Sequence, residues 1–361
     1  MRLCESCSAR LGVESDSSTE SVCEACLGLS GKFGAYLDMA AKAVSGYEFS
    51  TFWLGAFIRK KVLDADAKLS EGKQGIKKAM EIYVGEGLER LTGKTATPVD
   101  PDIIATVDTI NERIELRVSS AFFSGRYIKK VRTMPQSKWL CRKCSGRGCK
   151  ECGFTGRMYP TSVEERIASP LIGLCEGTGS KLHALGREDI DVRMLGTGRP
   201  FVIEILSPRK RTVDLASASN EIAASGDVEA IGLAVSNKAE ALRVDTSKAM
   251  KRYKALVSAE QKVEREKLDA ISDLAPIELE QRTPNRVAHR RSDLVRVRTV
   301  DQIEFTNIDD AGFRMSLLAE HGTYIKEFVS GDEGRTKPSL SQLLGIQCRV
   351  AELDVTDVEF V

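Results

Sequence analysis

Histidine is scarce in this chain. Its three residues of that type, His183, His289 and His321, stand in unrelated segments, so they do not make a site for a metal-activated water. Long apolar runs are missing as well. No stretch reaches the roughly 18 residues that a membrane helix needs, and the opening MRLCESCSARLG has no apolar signal core; a cytoplasmic location is expected. Nor is charge of one sign in excess. With 53 basic and 52 acidic side chains the formal charge is +1 at pH 7, and affinity for nucleic acid has to come from local patches. GTGRP, at 196 to 200, lacks the lysine and the serine or threonine of a nucleotide-cradling loop. ATP, GTP and other organic cofactors are therefore not expected.

Cysteine, by contrast, is plentiful, with ten residues in 361. Cys4, Cys7, Cys23 and Cys26 form two C-x-x-C pairs with fifteen residues between them, a spacing that brings four thiolates to one tetrahedral zinc. Four cysteine ligands leave no open position for water, so the ion is expected to be structural. Two disulfides would need a secretory context that the N-terminus does not supply. A second set, Cys141, Cys144, Cys149 and Cys152, is tighter, with only Ser145 to Gly148 between the pairs; it can enclose a metal, at the risk of straining the tetrahedron. Cys175 and Cys348 stand beside apolar residues and read as small buried hydrophobes.

Residues 186 to 205 read GREDIDVRMLGTGRPFVIEI, in which Asp189 lies among Arg187, Arg193 and Arg199. Opposite charges hold a carboxylate in its ionised form, and an ionised carboxylate can act as a nucleophile. Read without further context, the run also suits a surface hairpin turning at Gly196, Thr197 and Gly198. Basic residues cluster elsewhere too. From Arg126 to Arg157 ten of them face one acid, Glu151, and among these Lys129, Lys130, Arg132, Arg142 and Lys143 are expected to grip phosphates. A second cluster holds Arg282, Arg286, Arg290, Arg291, Arg296, Arg298 and His289 against Asp293. Tyr127, Trp139 and Phe154 lie within the first stripe, and each individually is expected to be core.

GRED followed by DVRMLGTGRPF resembles the catalytic motif of the archaeal tRNA pseudouridine 54/55 synthases, which isomerise two adjacent T-loop uridines. KRYKALV (251 to 257), EQRTPNRVAHRR (280 to 291) and GTYIKEFVSGDEGRTKPSLSQLLG (322 to 345) resemble that family's later blocks in order, and FSTFWLGAF (49 to 57) with the cysteine sets extends the likeness to nearly the whole chain. The resemblance implies that Asp189 is the nucleophile, with Asp191 its rival. It implies that Tyr253 stacks on the base and assists removal of the C5 proton, and that Lys326 pairs with the catalytic carboxylate, Glu327 offering Lys326 a local alternative. Tyr324, Arg187, Arg193, Arg199 and Arg286 are implied as substrate-binding. The partner it implies is tRNA, at the T loop, bound by a monomer without a membrane. Two other classes stay in view: a zinc-bearing tRNA-binding protein without catalysis, in which GREDIDVR is a phosphate clamp, and another THUMP-type tRNA-modifying enzyme, which needs an S-adenosylmethionine or ATP loop that is not found.

The expected fold class is α+β. Residues 1 to 28 are expected to form a zinc module. Residues 29 to 158 are expected to form an α/β accessory domain related by the resemblance to the THUMP fold, closed by the second cysteine knuckle. It takes helices at 29 to 47 and 69 to 92 and strands at 49 to 57, 103 to 107, 113 to 118 and 126 to 132. Residues 159 to 361 are expected to form the catalytic domain around a mixed, largely antiparallel sheet, with strands at 200 to 206, 229 to 235, 251 to 257, 275 to 280, 293 to 299 and 313 to 319. The Ser/Glu-rich stretch 14 to 21 reads as a loop.

Overall fold

A computed structural model describes residues 2 to 14, 22 to 290 and 292 to 360. The loop expected at 14 to 21 falls, beyond Glu14, outside the described residues. Two compact units emerge: Met1–Ala121 with Ile172–Gly179 and Ile205–Val213, and Phe122–Leu171 with Ser180–Glu204 and Asp214–Val361.

In the first unit, FSTFWLGAF supplies strand β1 (Thr51–Phe57), whose alternate residues Phe52, Leu54 and Ala56 are buried on one face, as the two-residue period of a strand requires. The sheet is completed by β2 (Thr95–Ala96), β3 (Ile103–Asp108) and β4 (Arg113–Val118) in the order β2-β1-β3-β4, with β1 parallel to both neighbours and β3 antiparallel to β4. Helices α1 (Glu5–Leu11), α2 (Phe33–Val44), α3 (Lys60–Ala67) and α4 (Ile76–Thr92) accompany it. The helix expected from residue 69 begins only at Ile76, where the buried carboxylate of Asp66 accepts the Ile76 N–H at 2.7 Å and satisfies one of the first-turn donors that a helix leaves unpaired. The N-terminal cysteines do not form a separate module. Cys7, Leu11, Cys23 and Cys26 belong to one buried cluster with Phe33, Leu54, Met80, Val84 and Val107, so this corner is part of the unit's core.

The second unit is built on a ten-stranded sheet. Its strands are β5 (Ala121–Lys129), β6 (Gly179–Ala184), β7 (Val192–Leu206), β8 (Val228–Ser236), β9 (Ala249–Ala259), β10 (Ile277–Arg282), β11 (Val295–Thr306), β12 (Gly312–Ala319), β13 (Thr336–Lys337) and β14 (Cys348–Phe360). They run in the order β13-β10-β11-β12-β9-β14-β7-β5-β8, with β6 on β7. Antiparallel pairing joins β13 through to β14, and β14 meets β7 in parallel over Val192–Met194. The mixed, largely antiparallel sheet and the α+β class agree with expectation. Three details differ. The strand expected at 126 to 132 in the accessory domain is β5, which pairs with β8 in this sheet, so the division falls near residue 121 and the second cysteine knuckle belongs to the second unit. Gly196 and Gly198 are not a hairpin turn but positive-φ points (+60° and +75°) inside the continuous β7, where a Cβ on Gly196 would lie 2.0 Å from the Thr356 carbonyl. Last, β6 and β14 lack strong apolar alternation in sequence; β14 instead turns Glu352 and Asp354 to Arg132 and Arg193.

Candidate active site

A cleft of about 710 Å³ opens in the second unit, and the GRED segment, which joins β6 to β7, lies along it together with Tyr253, Arg286, Tyr324 and Lys326. Two neighbouring carboxylates in that segment take opposite directions, as adjacent residues of an extended chain do. Glu188 turns inward and its side chain is fully buried. Its Oε2 accepts the Tyr127 hydroxyl at 2.8 Å and also lies 2.9 Å from Arg199 Nε, and Lys129 Nζ is 3.9 Å from the second oxygen. Gln136 closes this knot by donating to the Tyr127 hydroxyl at 2.8 Å and to the Gly186 carbonyl at 3.0 Å. Asp189 turns outward into the cleft, with its side chain 31 % exposed.

The cation closest to Asp189 is Arg286, at 2.8 Å from Nη1. Lys326 Nζ is 3.7 Å from Asp189 but 2.7 Å from Asp191, so the expected pairing of Lys326 with the first carboxylate is shared with, and dominated by, the second. Burial pushes the Asp191 carboxyl up, but the ammonium of Lys326 outweighs it and leaves the group below the ordinary carboxylate range. Arg286 is itself held by Glu327, 2.6 Å from Nε, and lies 5.9 Å from the Tyr324 ring. Burial works against its charge, yet Glu327 and then Asp189 raise its pKa above the ordinary arginine value. Glu327 is thus the partner of Arg286 and not of Lys326. Tyr253 rises from β9 with its neighbours across the sheet, Leu317 and Val355; burial pushes its phenol up to about 12, so the ring meets a substrate neutral.

Several residues expected at the substrate take other roles. Arg187 lines the cleft. Arg193 is bound through two nitrogens to Asp354, at 2.8 and 2.7 Å. Arg199 is fully buried and serves Glu188 and the Leu185 carbonyl, not a substrate surface. Neither arginine surrounds Asp189. Lys129 is also a correction: it is fully buried and donates to the carbonyls of Met134, Asp189 and Ile190, so it offers nothing to a phosphate. Lys130 pairs with Glu229, and Arg132 with Glu352, Asp354 and the Leu353 carbonyl. Arg142, Arg147 and Lys150 stand exposed on the knuckle, as does Lys143, paired with Glu151. Tyr127 is core as expected, Trp139 lies half-buried along the cleft, and Phe154 is 71 % exposed, so it is not core. In the second basic cluster Arg282 pairs with Asp293 and Arg298 approaches Glu320; Arg291 and the side chains of His289 and Arg290 lie outside the described residues. Glu188, Gln136 and Lys251 were not legible as site residues. For Glu188 the signal was its place beside Asp189.

Both cysteine tetrads bring four sulfurs together, all within 4.8 Å of one another. Tetrahedral ligands about 2.3 Å from zinc stand about 3.8 Å apart. Cys4 and Cys26 are 3.7 Å apart, Cys141 and Cys149 3.9 Å, Cys144 and Cys152 3.9 Å, and Cys149 and Cys152 3.7 Å. The short spacer therefore does not prevent the second tetrahedron: Gly146 and Gly148 adopt φ of +92° and +89° to turn it. The Gly148 and Gly156 N–H groups point at the sulfurs of Cys144 and Cys152, each at 3.2 Å, which suits thiolates. Both sets fit a zinc ion. Among the described residues no helix is long and apolar enough to cross a membrane.

A family model described as "Pus10, C-terminal" matches residues 122 to 359, which nearly coincide with the second unit. The tRNA pseudouridine synthase Pus10 of Archaeoglobus fulgidus is 39 % identical over 360 residues, covering 99 % of this chain and 100 % of that one. Its counterpart in Methanothermobacter marburgensis is 43 % identical over 323 residues, covering 86 % and 79 %. Among solved structures the Cbf5-Nop10-Gar1 complex aligns at a TM-score of 0.38, with 17 % identity over 65 % of this chain and 48 % of that one, a likeness too loose to build on. The protein is therefore of the pseudouridine synthase class, an isomerase. Within that class the chain belongs to the Pus10 family.

Proposed function

We propose that this protein converts the T-loop uridines 54 and 55 of tRNA to pseudouridine, with Asp189 as nucleophile. The observation that carries the reading is the placement of one carboxylate at the mouth of a cleft, 2.8 Å from Arg286 and 3.7 Å from Lys326, with the neutral Tyr253 ring among the cleft residues. Two cations flank Asp189, and it is an ionised carboxylate that attacks. Glu327 fixes the guanidinium that fixes Asp189. The bond between ribose C1′ and uracil N1 breaks, the ring turns against the Tyr253 face, and the C1′ bond re-forms through C5. No atom is gained or lost, and no organic cofactor takes part. Flipping a stacked uridine into the cleft costs roughly a few kcal/mol, which binding elsewhere on the tRNA offsets. A T-loop transcript treated with purified protein and no cofactor should show pseudouridine at both positions when mapped; unchanged uridine at both would leave the second reading, a tRNA-binding protein that does no chemistry.

Zinc in both tetrads completes the reading, as a structural ion at each. Elemental analysis should find about two zinc ions per chain. The Cys4→Ser, Cys7→Ser double variant should lose one of them and unfold the first unit, because those sulfurs lie within its core. A single ion in the wild type would remove the second site.

The phosphate grip is narrowed to the exposed knuckle cations Arg142, Lys143, Arg147 and Lys150, of which Lys143 also pairs with Glu151 at the surface. Replacing these four together by Ala should flatten the slope of log affinity against log salt by roughly 0.7 to 0.9 for each phosphate that is no longer neutralised. Single-turnover rates at saturating tRNA should stay near wild type. An unchanged slope would place the grip elsewhere.

A further inference from the structure

Lys251 begins the KRYKALV segment two residues before Tyr253, and on β9 the two side chains share the buried face. The residue is 5 % exposed, and what exposure remains is to the cleft, which it helps to line. Its strand neighbours are Ala319 on one side and Val358 on the other, neither able to accept a proton. Among the described residues its amine makes no hydrogen bond and no ion pair. Nζ lies against the turn that starts the GRED segment: a Cβ built on Gly186 would be 2.7 Å from it and 3.4 Å from Arg199 Nη1.

The neighbourhood explains why this amine stays without a partner. Three buried cations, Lys129, Arg199 and Lys251, look toward a single buried carboxylate, Glu188. Arg199 is a permanent cation, and Lys129 donates to three carbonyls. The surplus charge therefore falls on Lys251, and a buried charge without a partner is costly enough that such a group gives up its proton. A free amine, aimed into a reaction cleft beside the residue that stacks on the base, has one use there.

We propose that the Lys251 amine is the base that removes the C5 proton of the uracil after the ring has rejoined the ribose through C5. At that stage C5 carries both its hydrogen and C1′, and C6 is doubly bonded to N1. The Nζ lone pair takes the hydrogen as a proton. The C5–H electron pair forms the C5–C6 double bond, the C6–N1 pair moves to N1, and N1 takes a proton from water; the ammonium then returns its proton to solvent. The sum is an isomerisation. Burial first, and the Arg199 charge second, bring the Lys251 amine down to about 7, with Glu188 acting the other way, which suits a base working near neutral pH. His321, which also lines the cleft, is pushed down by burial and by Lys251. The Tyr253 phenol, at about 12, is left the task of holding the ring.

This inference rests on the T-loop reading, and the experiment separates the two. Single-turnover conversion at saturating T-loop tRNA is measured for wild type, Lys251→Met and Lys251→Arg, with uridine or 5-fluorouridine at the target. Lys251→Met should slow pseudouridine formation by about 100-fold or more, the range for a lost general base, and abolish the limb of the rate profile near pH 7. Its tRNA affinity should hold and its thermal midpoint should not fall, because an apolar chain replaces a desolvated amine. Cleavage of the N1 linkage in 5-fluorouridine should stay within a few-fold of wild type, since that C5 carries no proton to lose. Equal slowing of the fluorinated substrate, or rescue by the permanently charged Lys251→Arg, would overturn the proposal. A Lys251→Met variant as fast as an active wild type would overturn it alone, whereas an inactive wild type would overturn the T-loop reading as well.

Discussion

Asp189→Asn should reduce pseudouridine formation by about four orders of magnitude or more, the scale on which removal of a nucleophile from a catalytic unit acts. Its tRNA affinity should stay within a few-fold. The amide keeps the shape of the side chain and loses the charge and the nucleophilic oxygen. Arg286 and Lys326 would then face one carboxylate fewer, though Glu327 still holds the first and Asp191 the second, so the cleft should keep its form. Asp191→Asn is the control with the opposite expectation. Asp191 is more open, with its side chain 63 % exposed, and its loss frees Lys326 to pair fully with Asp189; activity should fall by less than about tenfold. An active Asp189→Asn beside an inactive Asp191→Asn would exchange the two roles. Lys326→Met should release Asp191 from the cation that keeps its pKa low. The acid limb of the rate profile should move only if Asp191 matters to the reaction.

The candidate carboxylate Asp189 was legible because GRED is a short local pattern, and so were the strands whose apolar residues alternate, such as β9 and β12. The surroundings of Asp189 were legible only in part, since the resemblance pointed to Arg286 and Lys326 while the neighbouring arginines misled. Three arginines lie close to it in sequence, but β7 is a strand, and its alternation and glycine kinks carry Arg193 to Asp354 and Arg199 into the interior. The arginine that does reach Asp189 comes from almost a hundred residues further on. Likewise the count of basic residues from 126 to 157 said nothing about direction. Lys129 lies in β5 with its pattern of buried alternate residues, and a charged side chain on that face goes inward if a partner waits there. Glu188 is that partner, and it belongs to another strand's entrance. Pairing across a sheet decides which member of a charged run is core, and one-dimensional charge density cannot express it.

Glu188 should therefore be the most sensitive position for stability in the site. Glu188→Gln removes the carboxylate that Arg199 and Lys129 share, and breaking a buried ion pair from one side costs about 3 to 5 kcal/mol because the remaining charge is stranded. For a unit of this size that corresponds to a fall in Tm on the order of 10 °C. Arg199→Met should cost less, since it takes a buried charge away instead of stranding one. The double variant Glu188→Gln, Arg199→Met should recover part of the loss, giving a coupling that independent sites do not show. Function should follow the same charge. Glu188 is the group that raises the Lys251 pKa against burial and Arg199, so without it the amine falls below its value near 7 and stays unprotonated to lower pH. Measured well below the transition temperature, Glu188→Gln should shift the limb of the rate profile near neutral pH toward acid, while Arg199→Met shifts it toward alkaline pH by removing a repelling cation. Both variants unfolding at the wild-type temperature would show that the buried cluster does not hold the GRED segment. A profile unmoved in both would sever Lys251 from the reaction.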